Sequence, residues 1–409
     1  MKNIVIVGAG TAGTTMASKL RRACSEREWG ITVLDRDNVH VYQPGLLFVP
    51  FGLLRESELY RPRDVLLPRG VTFVQAPIAR IAPDENAVVM QDGTRFAYDV
   101  LVVATGCEIA PSATEGLTEK GWQETAFDFY TPEGSVALSH ALERFTGGKL
   151  VVHIAEMPIK CPVAPLEFAF HADAFFTKRG LREKVEIVYA TPLDAAFTKP
   201  VASRMLGGLM AERNIKIEPD FNVASVDGAR RVMKGYDGRE IDYDLLVTVP
   251  PHQGSALIRT SGLGDAQGFV PTDKHTLVTQ AHANIFALGD ATDLPSSKAG
   301  SVAHFQSDIL FENILDFISG RALSQHFDGH SNCFIETGFD KAMLIDFNYE
   351  TEPLPGRFPI PGVGPFTLLE ESHVNHWGKL AFKWMYWNLL VKGEPIPLEA
   401  NMTMLGKWS

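Results

Sequence analysis

The chain is short of cysteine, of positive charge and of long apolar runs, and each shortage excludes something. Four cysteines among 409 residues cannot make a disulfide scaffold. In a reducing compartment a paired cysteine is more often catalytic than structural. Lys and Arg total 38 against 49 Asp and Glu, a net charge of −11. That balance argues against nucleic acid as a partner, because phosphate binding needs a basic surface. No uninterrupted apolar stretch approaches the ~20 residues that span a bilayer. The first strand pattern, residues 2–7, follows Met1 directly, with no basic and apolar leader before it. The expected place is therefore the cytoplasm or the cytoplasmic face of the cell membrane. The 12 histidines form no His-x-His, and the cysteines form no Cys-x-x-Cys, so no metal site is expected.

What is present reads as an α/β chain long enough for two or three domain cores. Residues 2–7 (KNIVIV) are a buried parallel strand by composition, followed by Gly8-Ala-Gly10-Thr11-Ala12-Gly13 and a helix pattern from Thr14 to about Cys24. A second strand, residues 31–34, ends at Asp35. A G-x-G-x-x-G turn between strand and helix, with an acid closing the next strand, is a dinucleotide site. The glycines let the backbone reach a pyrophosphate, and Asp35 can accept hydrogen bonds from the adenosine ribose. A strand at 100–104 runs into Ala104-Thr105-Gly106, and a strand-like run near 285 ends in Gly289-Asp290.

This set resembles the two-dinucleotide-binding-domain flavoproteins, the superfamily of glutathione reductase and type II NADH dehydrogenases, over most of the chain. The resemblance implies FAD, with Asp290 on the ribityl chain, and two Rossmann-like domains. The expected division is 1–110 and 275–325 for the FAD domain, 111–274 for the second domain, and 326–409 for a C-terminal segment associated with membrane or quinone. Tyr42-Gln43-Pro44 stands where some relatives attach flavin covalently, so non-covalent FAD is expected.

The second domain lacks what NAD-using members have. After the strand at 149–154 the chain reads Ala155-Glu-Met-Pro-Ile-Lys-Cys-Pro-Val-Ala-Pro165, without a glycine. Prolines and larger side chains block the approach of a pyrophosphate, so no NAD(P) is expected there. Lys160 to Pro165 resembles the matching segment of sulfide:quinone oxidoreductases and of the flavocytochrome c sulfide dehydrogenase flavoprotein subunit. The resemblance implies that Cys161 and Cys333 form a redox pair on the flavin. It also implies that Lys298, in Leu294-Pro-Ser-Ser-Lys298, lies near the flavin pyrimidine edge. Glu167, six residues after Cys161, is a candidate base; a surface glutamate is the plain alternative. His153, His171, His252 and His304 are candidate proton carriers, each equally at home in a core. Residues 108–160 hold no cysteine, so the third redox cysteine of many such enzymes is absent. Cys107 and Cys24 read as packing residues.

Trp377, Leu380, Ala381, Trp384, Trp387 and Leu390 recur at three- and four-residue steps, with Lys379 and Lys383 able to snorkel beside them. That pattern suits a peripheral helix on a membrane surface, whose removal after about residue 370 leaves FAD bound. A helix packed on the core is the alternative. Pro359 to Phe366 is expected as a loop toward a quinone, with Phe358 and Phe366 as stacking rings. The resulting expectation is FAD-dependent oxidation of sulfide, with electrons passed to a membrane quinone. The rivals are a sulfide dehydrogenase subunit serving a cytochrome, a type II NADH:quinone oxidoreductase, and a non-catalytic flavin or sulfur carrier. Oligomeric state, a homo-oligomer included, stays open.

Overall fold

A computed structural model describes residues 1–408. Two parallel five-stranded sheets organise it. The first runs Ile285–Ala287, Val100–Val103, Lys2–Val7, Trp29–Asp35, Val71–Gln75. The second runs Ala126–Phe127, Leu245–Val249, Gly148–Ile154, Val185–Ala190, Ile215–Glu218. Their central strands are closed on both faces, as the unbroken apolar runs require of parallel strands. Each domain adds a three-stranded antiparallel sheet, within 78–97 and 223–242.

The chain returns to the first domain earlier than the expected residue 275. Ile258, Leu263 and Val270 pack in the core around Val5, Val103 and Ile285. The segment 256–270 carries no strand of the first sheet, so strand patterns could not assign it.

The C-terminal part is a third body. Ser331–Gly338, Lys341–Phe347, Gly364–Leu368 and Gly356–Ile360 form a four-stranded sheet, against which the helix His373–Met385 packs. The expected quinone loop at 359–366 is instead a β-hairpin, with Phe358 opposite Phe366. Phe358 is buried beside Leu344 and Leu368, and Phe366 meets Phe334 edge to face at 5.2 Å. Alternation along the two strands sets these rings against the sheet's own core.

The aromatic stripe of the C-terminal helix is split. Trp377, Leu380 and Trp384 are 64, 51 and 60% exposed. Trp387 and Leu390 are buried with Tyr42, Leu66 and Tyr386. The cause is a π-turn, Tyr386–Leu390, which ends the helix and rotates the following side chains inward. Neither lysine snorkels: Lys383 Nζ bonds Glu58 at 2.7 Å, and Lys379 points into the protein. The Tyr386 hydroxyl lies 2.7 Å from Thr11 Oγ1 and 2.7 Å from His40 Nε2. Thr15 Oγ1 donates to Leu390 O at 3.0 Å. The end of the chain is thus bolted to the first helix, Thr11–Ala23. No described helix is long and apolar enough to cross a membrane.

Truncation after residue 370 is therefore expected to destabilise the whole fold, contrary to the detachable helix read from periodicity. Trp387→Ala should cost about 3–5 kcal/mol in urea unfolding, whereas Trp377→Ser should stay within about 0.5 kcal/mol.

Candidate active site

The nucleotide turn has the geometry a pyrophosphate needs. A Cβ at Gly8 (φ +99°) would meet Ala104 O, and one at Gly13 would meet Gly8 O. Glycine is thus required for strand, turn and helix to close on one another. Gly10 faces open space, which leaves its backbone accessible. Asp35 Oδ2 accepts from Ala9 N at 2.6 Å and pairs with Arg63. Thr11 and Ala12 open the helix, and Thr105 and Gly106 follow the strand that ends at Val103. At the other end Gly289 N donates to Gln306 Oε1 at 2.6 Å and turns the chain so that Asp290 is half-buried. The Asp290 side chain takes no hydrogen bond from the described residues. Burial pushes its carboxyl up, against Lys298 and Lys160. A half-buried carboxylate with no hydrogen bond from the described residues suits ligand hydroxyls, as the ribityl chain of FAD offers.

Lys298 is buried. Its ammonium donates to Thr292 O at 2.5 Å and Asp290 O at 3.2 Å, and lies 4.2 Å from the Phe269 ring centre. Burial lowers its pKa, against Asp290 and Cys107. Its carbonyl accepts from Cys161 N at 2.7 Å, which ties the flavin half to the cysteine segment.

The glycine-free segment after the strand Gly148–Ile154 carries Cys161 at φ +45°, three residues before the helix Ala164–Lys178. Cys161 O accepts from Ala164 N at 2.8 Å. The Ala164 N–H eases the thiol down, but less than burial pushes it up. Cys333 lies on the strand Ser331–Gly338, which packs against that helix. All four cysteines are free. Burial pushes the Cys161 thiol up to about 12, with Glu167 adding to it and Lys379 opposing. Burial raises Cys333 further, with Cys161 adding to it, and both cysteines border the same apolar core.

Glu167 is not a surface residue. It is wholly buried; Oε1 accepts from Lys379 Nζ at 2.8 Å and from Glu336 N at 2.8 Å, and Oε2 has no partner. Lys379 Nζ also donates to Phe334 O at 3.0 Å. Burial works against its charge, but Glu167, Cys161 and Glu336 outweigh that and raise its pKa. Glu336 is buried with both oxygens 2.9–3.0 Å from His376 Nδ1. Burial pushes its carboxyl up to about 7, against His376 and Lys379.

Lys379, Glu336 and His376 were missed in the sequence. The aromatic stripe drew attention to the outer face of their helix, and Glu336 stands in an ordinary strand pattern. Of the candidate histidines only His171 reaches this cluster, 3.9 Å from Glu336. His153 bonds Thr248, His252 bonds Pro250 O, and His304 lies 3.8 Å from Asp308. Cys107 is also near the site: burial pushes it up to about 12, Asp290 adds to this, and Lys160 and Lys298 oppose. Cys24 is buried in the first domain's core.

Two Rossmann-like domains, a glycine turn shaped for pyrophosphate and an unpartnered Asp290 define a flavoprotein oxidoreductase whose cofactor is FAD. Residues 2–151 match the family model of pyridine nucleotide-disulphide oxidoreductases. The chain is a homologue of the sulfide:quinone oxidoreductases. It is 26% identical to the mitochondrial sulfide:quinone oxidoreductase of Mus musculus, over 95% of this chain and 86% of the relative. The counterpart from Dictyostelium discoideum is 28% identical over the same shares. The solved sulfide:quinone oxidoreductase of Aquifex aeolicus has the same fold, at TM-score 0.79 and 20% identity, over 96% of this chain and 92% of that one.

Two stability effects follow. Lys379→Met leaves Glu167 buried and uncompensated, at a cost of about 3–5 kcal/mol in urea unfolding. Glu336 binds its proton more tightly folded than unfolded. Its contribution is therefore fully present below the unfolded carboxylate pKa of 4.5 and is lost as pH rises to about 7. Glu336→Gln should flatten that decline, by roughly 1–3 kcal/mol between pH 4.5 and 7.

Proposed function

We propose that this protein oxidises sulfide at Cys161 and Cys333 and delivers the electrons to a quinone. The observation that carries the reading is that Cys161, on a segment with no glycine for a nicotinamide nucleotide, and Cys333, far away in sequence, border the same apolar core. FAD, held by Gly8, Gly10, Thr11, Ala12, Gly13, Asp35, Ala104, Thr105, Gly106, Gly289 and Asp290, supplies a two-electron acceptor.

The chain's own residues do the sulfur chemistry. In the oxidised pair, hydrosulfide attacks one sulfur, the sulfur–sulfur bond breaks, and a persulfide forms while the other cysteine leaves as thiolate. Burial penalises that thiolate. Lys379, whose charge lowers both thiols, offsets part of the penalty. Glu167, whose charge raises both thiols and whose Oε2 has no partner, is the base in this reading. Lys298 places a positive charge beside Asp290 at the flavin-binding edge. A second sulfur acceptor clears the persulfide.

Membrane attachment is peripheral in this reading. Trp377, Leu380 and Trp384, with Ile360 and Val363 on the hairpin, are exposed large apolar groups suited to an interface. The cytoplasmic face is the proposed side.

Sulfide is expected to bleach the flavin anaerobically, and NADH to do so slowly or not at all. Rapid bleaching by NADH would move the assignment to the dehydrogenase rival. Cys161→Ser and Cys333→Ser should keep FAD and lose sulfide-dependent quinone reduction by about a thousandfold. The double variant should be no worse, because the pair acts as a unit. Wild-type turnover by Cys333→Ser would defeat the pair.

A further inference from the structure

The segment that follows the C-terminal helix lies along the first helix, Thr11–Ala23, for nearly its whole length. At the helix start the Tyr386 hydroxyl meets Thr11 Oγ1 at 2.7 Å. One turn on, Thr15 Oγ1 donates to Leu390 O at 3.0 Å. At the helix end Arg22 Nη1 bonds Glu394 Oε1 at 2.6 Å. Gly393 fits between them: a Cβ there would lie 2.9 Å from the Arg22 and Lys19 side chains. The helix start is otherwise open. Gly10 precedes it without a capping side chain, and its first turn holds no acid. Its free N–H groups are left to the pyrophosphate for which the glycine turn is shaped. Thr11 carries a hydroxyl at the first position of that opening.

We propose that Tyr386 is a cofactor-positioning residue: through its hydrogen bond it orients the Thr11 hydroxyl for the FAD pyrophosphate. This rests on the FAD assignment and not on the sulfide reading. By linkage, FAD binding and the seating of residues 386–394 on the first helix favour each other.

The Tyr386 hydroxyl has one proton and two neighbours, Thr11 Oγ1 and His40 Nε2, each at 2.7 Å. A phosphate beside Thr11 selects the direction in which every group donates toward it. His40 Nε2–H then donates to Tyr386, the Tyr386 O–H to Thr11 Oγ1, and the Thr11 O–H is left for the ligand. The groups behind Thr11 are fixed. His40 and Tyr386 are both fully buried. The Tyr386 ring packs edge to face on Tyr42 at 4.9 Å and on Trp387 at 5.0 Å. A threonine hydroxyl in open space must be ordered when a ligand binds; one held by a buried phenol is ordered beforehand. Packing alone asks only for a ring. Phenylalanine at 386 would fill the same space and leave Thr11 and His40 without their shared partner. The π-turn Tyr386–Leu390 is what brings the phenol here, and such turns are frequent at functional sites.

The test is equilibrium binding of FAD to the full chain stripped of cofactor, followed by flavin fluorescence, with ADP as competitor. ADP carries the pyrophosphate without the flavin ring. Tyr386→Phe should weaken FAD about tenfold, and ADP by the same factor. Thr11→Val should weaken FAD to a similar extent. The double variant should bind no more weakly than Thr11→Val alone, because the two hydroxyls act as one unit. Three results would each overturn the assignment of Tyr386: an unchanged Kd in Tyr386→Phe, with any loss confined to urea unfolding of the apoprotein; additive losses in the double variant; or a loss for FAD that ADP does not share. If Tyr386→Phe does not fold, the wild type decides. Saturating ADP should slow tryptic cleavage after the exposed Lys392 by about tenfold, relative to cleavage after the exposed Lys234 in the second domain. Equal slowing at both sites would overturn the linkage. A wild type that takes up no FAD overturns the flavin assignment itself.

Discussion

The bond between Lys379 and Glu167 is the constraint on which the rest of the site depends. It joins the helix that follows Cys161 to the helix that closes the chain, and the same ammonium also bonds Phe334 O, one residue after Cys333. Three segments distant in sequence converge on one buried charge. Neither partner tolerates loss of the other, because an unpaired ion in the interior costs several kcal/mol. Burial of the pair fixes the spacing of the two cysteine-bearing elements more firmly than apolar contact alone, which is non-directional.

The low polarity that makes this pair strong also shapes the chemistry. Cys161, Cys333 and Cys107 are all pushed up by burial, so the pocket disfavours free thiolates. A disulfide, a persulfide and a neutral thiol are uncharged and stable there. Charge enters only where Lys379 or a proton meets it. On the flavin side the balance is similar: Asp290 is raised by burial and opposed by Lys298, whose own ammonium is held on backbone carbonyls.

The FAD half was legible because its requirements are local. Gly8, Gly13 and Asp35 fall within one strand–turn–helix–strand unit; Gly13 and Asp35 are dictated by contacts inside it, to Gly8 O and Ala9 N, and Gly8 by Ala104 at the end of the neighbouring strand. Cys161 drew attention for the opposite reason, a missing glycine at a position whose role the fold defines. Glu336, Lys379 and His376 were not, since their roles come from packing between distant elements and none breaks the pattern of its own element. Periodicity showed that the C-terminal helix has an apolar stripe. It could not show the π-turn at Tyr386, where one extra residue in the turn moves Trp387 and Leu390 from the outer face to the core. The snorkelling lysines failed likewise, because spacing places a side chain on a face without saying what that face meets.

Gly378 explains how one helix serves both faces. A Cβ there would lie 2.6 Å from the Phe366 ring and 2.7 Å from the Phe334 ring. Only glycine lets the helix backbone come down onto this aromatic pair, and that approach lets the next residue, Lys379, reach Glu167. Asn375, buried one turn earlier, accepts from Thr367 N at 3.1 Å and donates to Thr367 O at 2.9 Å, which pins the helix start to the hairpin strand. With the inner face fixed by Asn375, Gly378 and Lys379, helical geometry leaves Trp377, Leu380 and Trp384 pointing outward. Their exposure follows from how deeply Lys379 is drawn in, so the outer apolar surface and the inner charge at the cysteines are two consequences of one docking geometry.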